Sequence, residues 1–332
     1  MKNELPLVSV IIPCFNAEKF VEDAVHSIMQ QSYPNLEIIA IDDCSTDSTL
    51  NVLKKLCAED ARIKLLMNEK NLGLVSTLNK GIHSAEGKYI ARMDADDISH
   101  VNRIMLQVNF LEANDDVAMC GGNYILIDEQ GTEKGKLRYP PKNEDLKAEL
   151  LFYCPFCHPS VMMRKKILSE TGLYGEGLVP AEDYELWLRI AEKFPVENLT
   201  DYLLYYRWHG SNASITRKQE KYEALSKVVN RHSAYFGPDE KFLCYHLKFL
   251  AGLWYEKTSR EELNGFSEWK EYLFTNISQC NKRALNKTFY KYYSLALLSI
   301  LKSHENSLSI KFMAATKLLT INPVITIKHF FR

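Results

Sequence analysis

The first hundred residues alternate short apolar runs with stretches of helical periodicity, and few architectures accept that order. Val8-Ser9-Val10-Ile11-Ile12, Leu36 to Ile41, Ile63 to Met67 and Tyr89-Ile90-Ala91 read as strands. Between them, Val21, Ala24, Val25, Ile28 and Met29 share one helical face, with Asn16 as the expected N-cap and Pro34 beyond the end. A second helix runs through Leu50, Leu53 and Leu56, and a third covers Leu74 to Ala85. This alternation specifies an α/β fold, a mostly parallel twisted sheet flanked by helices. Ligands of such sheets sit outside the carboxyl ends of the strands. Three segments leave those ends toward one cleft: Pro13 to Asn16, Asp42-Asp43 and Asp94 to Asp97.

The third segment, Met93-Asp94-Ala95-Asp96-Asp97, places three carboxylates in four residues directly after a strand. Hard oxygen ligands suit Mg²⁺ or Mn²⁺, and such ions commonly also hold substrate phosphates. The pattern points to nucleotide chemistry.

Composition narrows the setting. A chain of 332 residues fits one large domain plus a smaller one, and 46% hydrophobic residues supply a core. With 41 basic and 42 acidic residues there is no basic field for a nucleic-acid partner. The amino terminus carries no apolar leader before the first strand, so a cytoplasmic protein is expected. Eight irregularly spaced cysteines read as reduced thiols, and Asn212-Ala213-Ser214 is then not a glycosylation signal. No window approaches the roughly 20 apolar residues of a membrane span; Leu295 to Leu301 is flanked by lysines.

Between residues 100 and 215 the pattern is mixed. Strands are expected near Tyr124 to Ile127, Ser160 to Met163 and Leu203 to Trp208, and helices near Ile104 to Leu111 and Tyr184 to Lys193. Beyond Thr216, Lys/Tyr/Leu-rich helical periodicity dominates, which sets the expected boundary: a catalytic domain over 1–215 and a helical C-terminal region over 216–332.

The chain resembles family 2 of the glycosyltransferases, inverting enzymes with the GT-A nucleotide-sugar-binding fold. The resemblance rests on Val8 to Asn16, on Ile41-Asp42-Asp43-Cys44-Ser45-Thr46-Asp47-Ser48-Thr49, on Asn71-Leu72-Gly73, on Asp94-Ala95-Asp96-Asp97 and on Ala181-Glu182-Asp183-Tyr184-Glu185-Leu186-Trp187. It covers residues 7 to 210. It implies that Pro13, Phe15, Asn16, Asp43, Asn71, Gly73 and Asp94 bind the nucleotide, with Asp43 accepting from a uracil N–H. Asp96 and Asp94 would hold Mn²⁺ or Mg²⁺, with His209 as a further ligand. Asp183 would be the catalytic base and Glu182 the second choice. Arg92 and Arg207 are cations near the strand ends that could meet phosphate.

The implied activity moves a hexose or N-acetylhexosamine from a UDP-sugar to a hydroxyl of a glycan or lipid-linked glycan acceptor in lipopolysaccharide, capsule or exopolysaccharide synthesis. The divalent ion neutralises charge on the departing nucleoside diphosphate, and the base takes the acceptor's proton. Competing readings are weaker. Asp42, Asp43 and Asp47 also suit a helix-capping loop, and Asp183 a first helical turn, where the dipole favours acids. Cys154-Pro155-Phe156-Cys157-His158 has the spacing of haem attachment, but that chemistry needs export. A sugar-1-phosphate nucleotidylyltransferase requires a glycine-rich basic loop after strand one, absent from Pro13 to Glu18. A non-catalytic nucleotide-sugar-binding scaffold predicts a broken metal pair or a missing base, yet Asp94, Asp96 and Asp183 are all present. The basic, aromatic C-terminal segments Lys287 to Tyr293 and Ile327 to Arg332 are candidates for peripheral contact with the inner membrane or for a homodimer contact.

Overall fold

A computed structural model describes residues 5–209, 218–237, 239–251, 258–278 and 280–321. Its central strands are the expected ones: β1 (Val8–Cys14), β2 (Leu36–Asp42), β3 (Ile63–Met67) and β4 (Tyr89–Arg92). They lie parallel in the order β3-β2-β1-β4, with Val10 opposite Ile38 on one side and Ala91 on the other. These strands are apolar on both faces because helices cover both. Val8, Val10, Ile12, Ile38 and Ala40 join one core with α1 (Val21–Met29), α2 (Thr49–Glu59) and Ile104, Val108 and Leu111 of α4 (Arg103–Ala113). The alternate residues Ile11 and Ile41 face α3 (Leu74–Ser84). There a Cβ on Gly81 would stand 2.6 Å from Ile11 Cγ2, so glycine lets that helix approach the sheet.

Antiparallel and mixed pairings extend the sheet past β4. The order continues β8 (Met162–Arg164), β6 (Met119–Ile127), β9 (Val196–Arg207) and β5 (Ile98–Ser99), with β7 (Glu133–Leu137) paired to β6. The nine-stranded sheet meets the α/β expectation. Helix α7 (Glu182–Lys193) follows the one-turn α6 (Leu168–Thr171). The expected strand at Ser160 to Met163 is a 3₁₀ turn at His158–Ser160 followed by β8.

Two differences have clear causes. Asn16 does not cap α1; it has a φ of 49°, its side chain serves another loop, and the helix opens after Phe20 without a side-chain cap. Strand β7, Glu-Lys-Gly-Lys-Leu, has no apolar face to betray it and is a charged edge strand.

The described chain divides into two compact units: residues 1–143 with 155–220, and residues 144–154 with 221–332. The expected boundary at 215/216 and the Asn212 triplet lie outside the described residues, as does Ile327 to Arg332. The segment 144–154, which includes most of α5 (Asn143–Glu149), groups with the C-terminal helices for a packing reason. Phe152 is fully buried and contacts Phe249, Trp269 and Phe289 edge-on and Tyr292 face-on. Glu149 accepts from Lys291 Nζ at 2.6 Å and from the Tyr292 hydroxyl. The helix Arg260–Asn276 carries a full capping box, Ser259 with Glu262. Among the described residues no helix is long and apolar enough to cross a membrane. Removing the Phe152 ring leaves a cavity at the centre of this aromatic cluster. Phe152→Ala is expected to lower the stability of the second unit by about 3–5 kcal/mol, read by chemical denaturation followed through tryptophan fluorescence.

Candidate active site

The β1–α1 and β2–α2 loops are laced together before any ligand is considered. Asn16 Oδ1 accepts from Thr46 N at 2.9 Å, and Asn16 N donates to Ser45 Oγ at 3.1 Å. Ala17 N donates to Thr49 Oγ1 at 2.8 Å, Glu18 N to Asp47 Oδ2 at 3.1 Å, and Ser48 N to Glu18 Oε2 at 2.9 Å. Hydrogen bonds from Thr49 hold the Asp47 carboxyl below its usual range, against the effect of burial.

Asp43 organises a third loop. Its Oδ1 accepts from Asn68 Nδ2 and Leu72 N, both at 2.8 Å, and its Oδ2 from Gly73 N at 2.9 Å. Gly73 has a φ of 80° and precedes α3, a backbone state that side chains disfavour. The Asn71-Leu72-Gly73 motif is therefore bonded directly to the Asp42-Asp43 motif. Asn68 was not singled out in the sequence, although it directly follows β3 at the same sheet edge. Pro13 is half-buried here, Asn71 is exposed, and Phe15 presents an exposed ring.

The acidic cluster follows β4. Asp94, Asp96 and Asp97 each offer a carboxylate oxygen within 4.8 Å of the others. Asp94 pairs with Arg92, which is buried, so this cation is committed to the cluster. Burial pushes the Asp94 carboxyl up; Asp96 and Asp183 add to that, and Arg92 opposes it. Asp97 is buried and held well above the usual carboxylate range by desolvation and by its two acidic neighbours. Its Oδ1 accepts from Arg207 N at 2.8 Å, while its Oδ2 is buried without a hydrogen-bond partner.

Arg207, read in the sequence as a cation for phosphate, is buried and binds backbone instead. Its Nε donates to Asp96 O at 2.8 Å and its Nη1 to Glu129 O at 2.9 Å, with the guanidinium over the Phe20 ring. The pairing of Ile98 with Tyr205 brings the end of β9 alongside the acidic loop. His209 is thereby carried to Asp96, with its Nε2 2.9 Å from Asp96 Oδ2 and its ring stacked on Phe20 at 5.4 Å. Three carboxylates thus converge, one of them with a buried oxygen that has no hydrogen-bond partner, and the His209 imidazole adjoins them through Asp96. This donor set fits a hard divalent cation held by Asp94, Asp96 and Asp97 with His209 beside them.

Helix α7 opens with Glu182 and Asp183. Asp183 Oδ1 accepts from Tyr184 N at 2.6 Å, and the charge of Asp183 bears on Asp94, which joins the helix start to the acidic cluster. Glu182 is buried with Oε2 unpartnered, and desolvation together with Asp183 raises its carboxyl to about 8. Tyr174, buried beside this pair, meets His158 Nε2 at 2.9 Å, and both rings pack on Trp187. The Cys154 to His158 stretch thus supplies an aromatic wall, with Cys157 buried and protonated. The structure brings Asp43, Asn71, Gly73, Asp94, Asp96, His209, Glu182 and Asp183 to one edge of the sheet. Asp97 as a clamp and Arg207 as a brace were not anticipated; only the adjacency of three acids hinted at the first.

This sheet edge gathers a bonded loop pair, an acidic cluster that fits a divalent cation and a helix start bearing two carboxylates, a donor set suited to a phosphate-bearing substrate. The family model described as Glycosyl transferase family 2 matches residues 9–172. An uncharacterized glycosyltransferase of Haemophilus influenzae is 35% identical over 240 residues, covering 70% of this chain and 74% of that one. The putative teichuronic acid biosynthesis glycosyltransferase TuaG of Bacillus subtilis is 31% identical over 233 residues, 69% of this chain and 88% of that one. Solved structures of similar fold include S. aureus TarS in complex with UDP-GlcNAc, at TM-score 0.61 and 18% identity, covering 96% of this chain and 91% of that one. The mannosyltransferase PcManGT of Pyrobaculum calidifontis, in complex with GDP-Man and Mn²⁺, has TM-score 0.57 and 17% identity, covering 96% and 88%. The chain belongs to glycosyl transferase family 2 and has its GT-A fold.

The buried Glu182 carboxyl generates a pH prediction. Its folded value, about 8, lies above the ordinary 4.5, so its contribution to stability is complete below 4.5 and is lost as pH rises toward 8. Glu182→Gln removes that loss. The thermal midpoints of wild type and variant are expected to coincide below about pH 4.5 and to separate progressively between 4.5 and 8, with the variant the more stable and little further change above 8.

Proposed function

We propose that the protein is an inverting, divalent-metal-dependent glycosyltransferase that moves a hexose or N-acetylhexosamine from a UDP-sugar to a hydroxyl of a glycan or lipid-linked glycan acceptor. The observation that carries this reading is the convergence of Asp94, Asp96 and Asp97 within 4.8 Å, with His209 at Asp96 and Asp183 close enough to raise Asp94. Synthesis of a surface polysaccharide is supported by the similarity to TuaG, and a UDP-sugar donor by the fold shared with UDP-GlcNAc-bound TarS; a lipid-linked acceptor would place the protein at the cytoplasmic face of the inner membrane.

Each residue has a physical role in this reading. Asp43 uses three acceptor sites on its loops and keeps one Oδ2 lone pair for a uracil N–H. Pro13, Phe15 and Asn16 adjoin Asp43 through its main-chain bond to Cys14, and the exposed Phe15 ring would offer a face to the base. Asp94, Asp96 and Asp97, with His209 beside them, would hold Mn²⁺ or Mg²⁺, which when bound would supply positive charge to the departing diphosphate. Asp183 takes the proton of the acceptor hydroxyl. Burial and the neighbouring Asp183 push the Glu182 carboxyl up to about 8, which favours Asp183 for the base role.

Calorimetric titration with UDP and GDP, with and without Mn²⁺, tests the donor site. Wild type is expected to bind UDP in a Mn²⁺-dependent way, and Asp96→Ala to lose about tenfold or more of that affinity; metal-independent binding unchanged by the substitution would sink the metal assignment. Asp183→Asn is expected to keep UDP binding and to lower transfer by ~10² to 10⁴-fold, as loss of a general base does. Full transfer by that variant would refute the base assignment.

A further inference from the structure

The helix Leu308–Ile321 carries two apolar faces, and only one of them is covered by the described chain. At about 100° per residue, Ile310, Ala314 and Leu318 form the inner face, and all three are buried. Leu308, Phe312, Ala315 and Leu319 line up on another face, where Leu308 is 86% exposed, Phe312 75% and Leu319 50%. An apolar helix face is normally covered. Scattered exposed leucines need no explanation, but a continuous stripe on one helix does.

Charge identifies what covers it. From Asn281 to Arg332 the chain holds nine Lys and Arg against a single acid, Glu305, and only Lys287 and Lys291 of these are paired, with Asp145 and Glu149, among the described residues; the whole chain balances 41 basic with 42 acidic residues. The helix itself contains no acidic residue. Lys311 flanks the stripe, and Lys302 stands on the preceding helix Lys282–Lys302; neither has an ion-pair partner among the described residues. Leu295, 49% exposed on that helix, adds apolar surface within the same unit. A second copy of the chain would bring the same positive charge to this face, whereas an anionic lipid surface would neutralise it.

We propose that the Leu308–Phe312–Leu319 stripe is a membrane-docking face that inserts into the headgroup region of an anionic bilayer, with Lys311 and Lys302 on lipid phosphates. This deepens the inner-membrane placement proposed above by naming the surface responsible.

Flotation of the full-length protein with phosphatidylglycerol/phosphatidylcholine vesicles, against vesicles of phosphatidylcholine alone, tests it. Wild type is expected to float with the anionic vesicles and much less with the neutral ones, and added salt is expected to release it. Phe312→Asp should weaken partition by about tenfold or more, and Lys311→Ala by roughly fivefold. Leu308→Ser, a milder change at the most exposed position, should also weaken it. An unchanged denaturation midpoint and far-ultraviolet circular dichroism report that each variant keeps the second unit folded, and calorimetric UDP binding at the wild-type level that the first unit is intact. Equal flotation of wild type and Phe312→Asp, or equal partition into neutral vesicles, would overturn the proposal. So would a dimer, seen by light scattering, that Phe312→Asp splits while wild type ignores vesicles. Loss of vesicle binding alone with Mn²⁺-dependent UDP binding intact removes this surface and leaves the transferase reading; absent UDP binding with vesicle binding intact does the reverse.

Discussion

Parallel strands leave a sheet in the same direction, and the site depends on that constraint. In the register of this sheet Cys14 sits opposite Asp42 and Asp42 opposite Met67, while Ile11 pairs with Arg92. The segments after β1, β2, β3 and β4 therefore emerge at one edge, whatever their sequences. What those sequences decide is how the segments bond. Asn16, Ser45, Thr49, Asp47 and Glu18 tie two of them together, and Asp43 ties in a third through Asn68, Leu72 and Gly73. A loop that would otherwise lose conformational entropy on meeting a ligand is already fixed.

The acidic cluster is costly by itself, since three carboxylates close together and half-buried repel one another and lose hydration. Buried guanidinium groups offset that cost in different ways. Arg92 supplies charge to Asp94, whereas Arg207 supplies donors to the backbone of Asp96 and Glu129. Arg103, fully buried and lowered to about 10 by desolvation, donates to Arg92 O at 2.7 Å and to Val161 O at 3.3 Å. Asp96 is thus held through its main-chain carbonyl, and Asp97 keeps one buried carboxylate oxygen, Oδ2, without a hydrogen-bond partner.

The central strands were legible because each is an unbroken apolar run, and the site motifs because they fall directly after those runs. The rest was hidden for identifiable reasons. Strand β9 begins at Val196, well before the expected Leu203, since Glu197, Asn198, Thr200 and Asp201 interrupt its apolar pattern. Asn16 looks like a cap in one dimension and is a cross-brace between loops in three. Arg207 and Asp97 act through backbone atoms more than a hundred residues apart in sequence, and no spacing rule encodes such a bond. His209 reaches Asp96 only because β5 pairs with β9, and a two-residue strand leaves no periodic trace.

The grouping of residues 144–154 with the C-terminal helices bears on how the protein comes into being. Leu146, Leu150, Leu151 and Phe152 are buried, and their partners His246, through Nδ1 to Leu151 O, Trp269, edge-on to Phe152, and Tyr292, stacked on it, leave the ribosome only after the whole of the intervening chain. These apolar residues must wait in the nascent chain for their partners, exposed to chaperones and proteases. The two units are therefore not beads on a string that gene fusion or deletion can exchange freely. A fragment ending before the C-terminal helices carries an orphaned hydrophobic hairpin-length segment, and the helices expressed alone lack Phe152 at their centre.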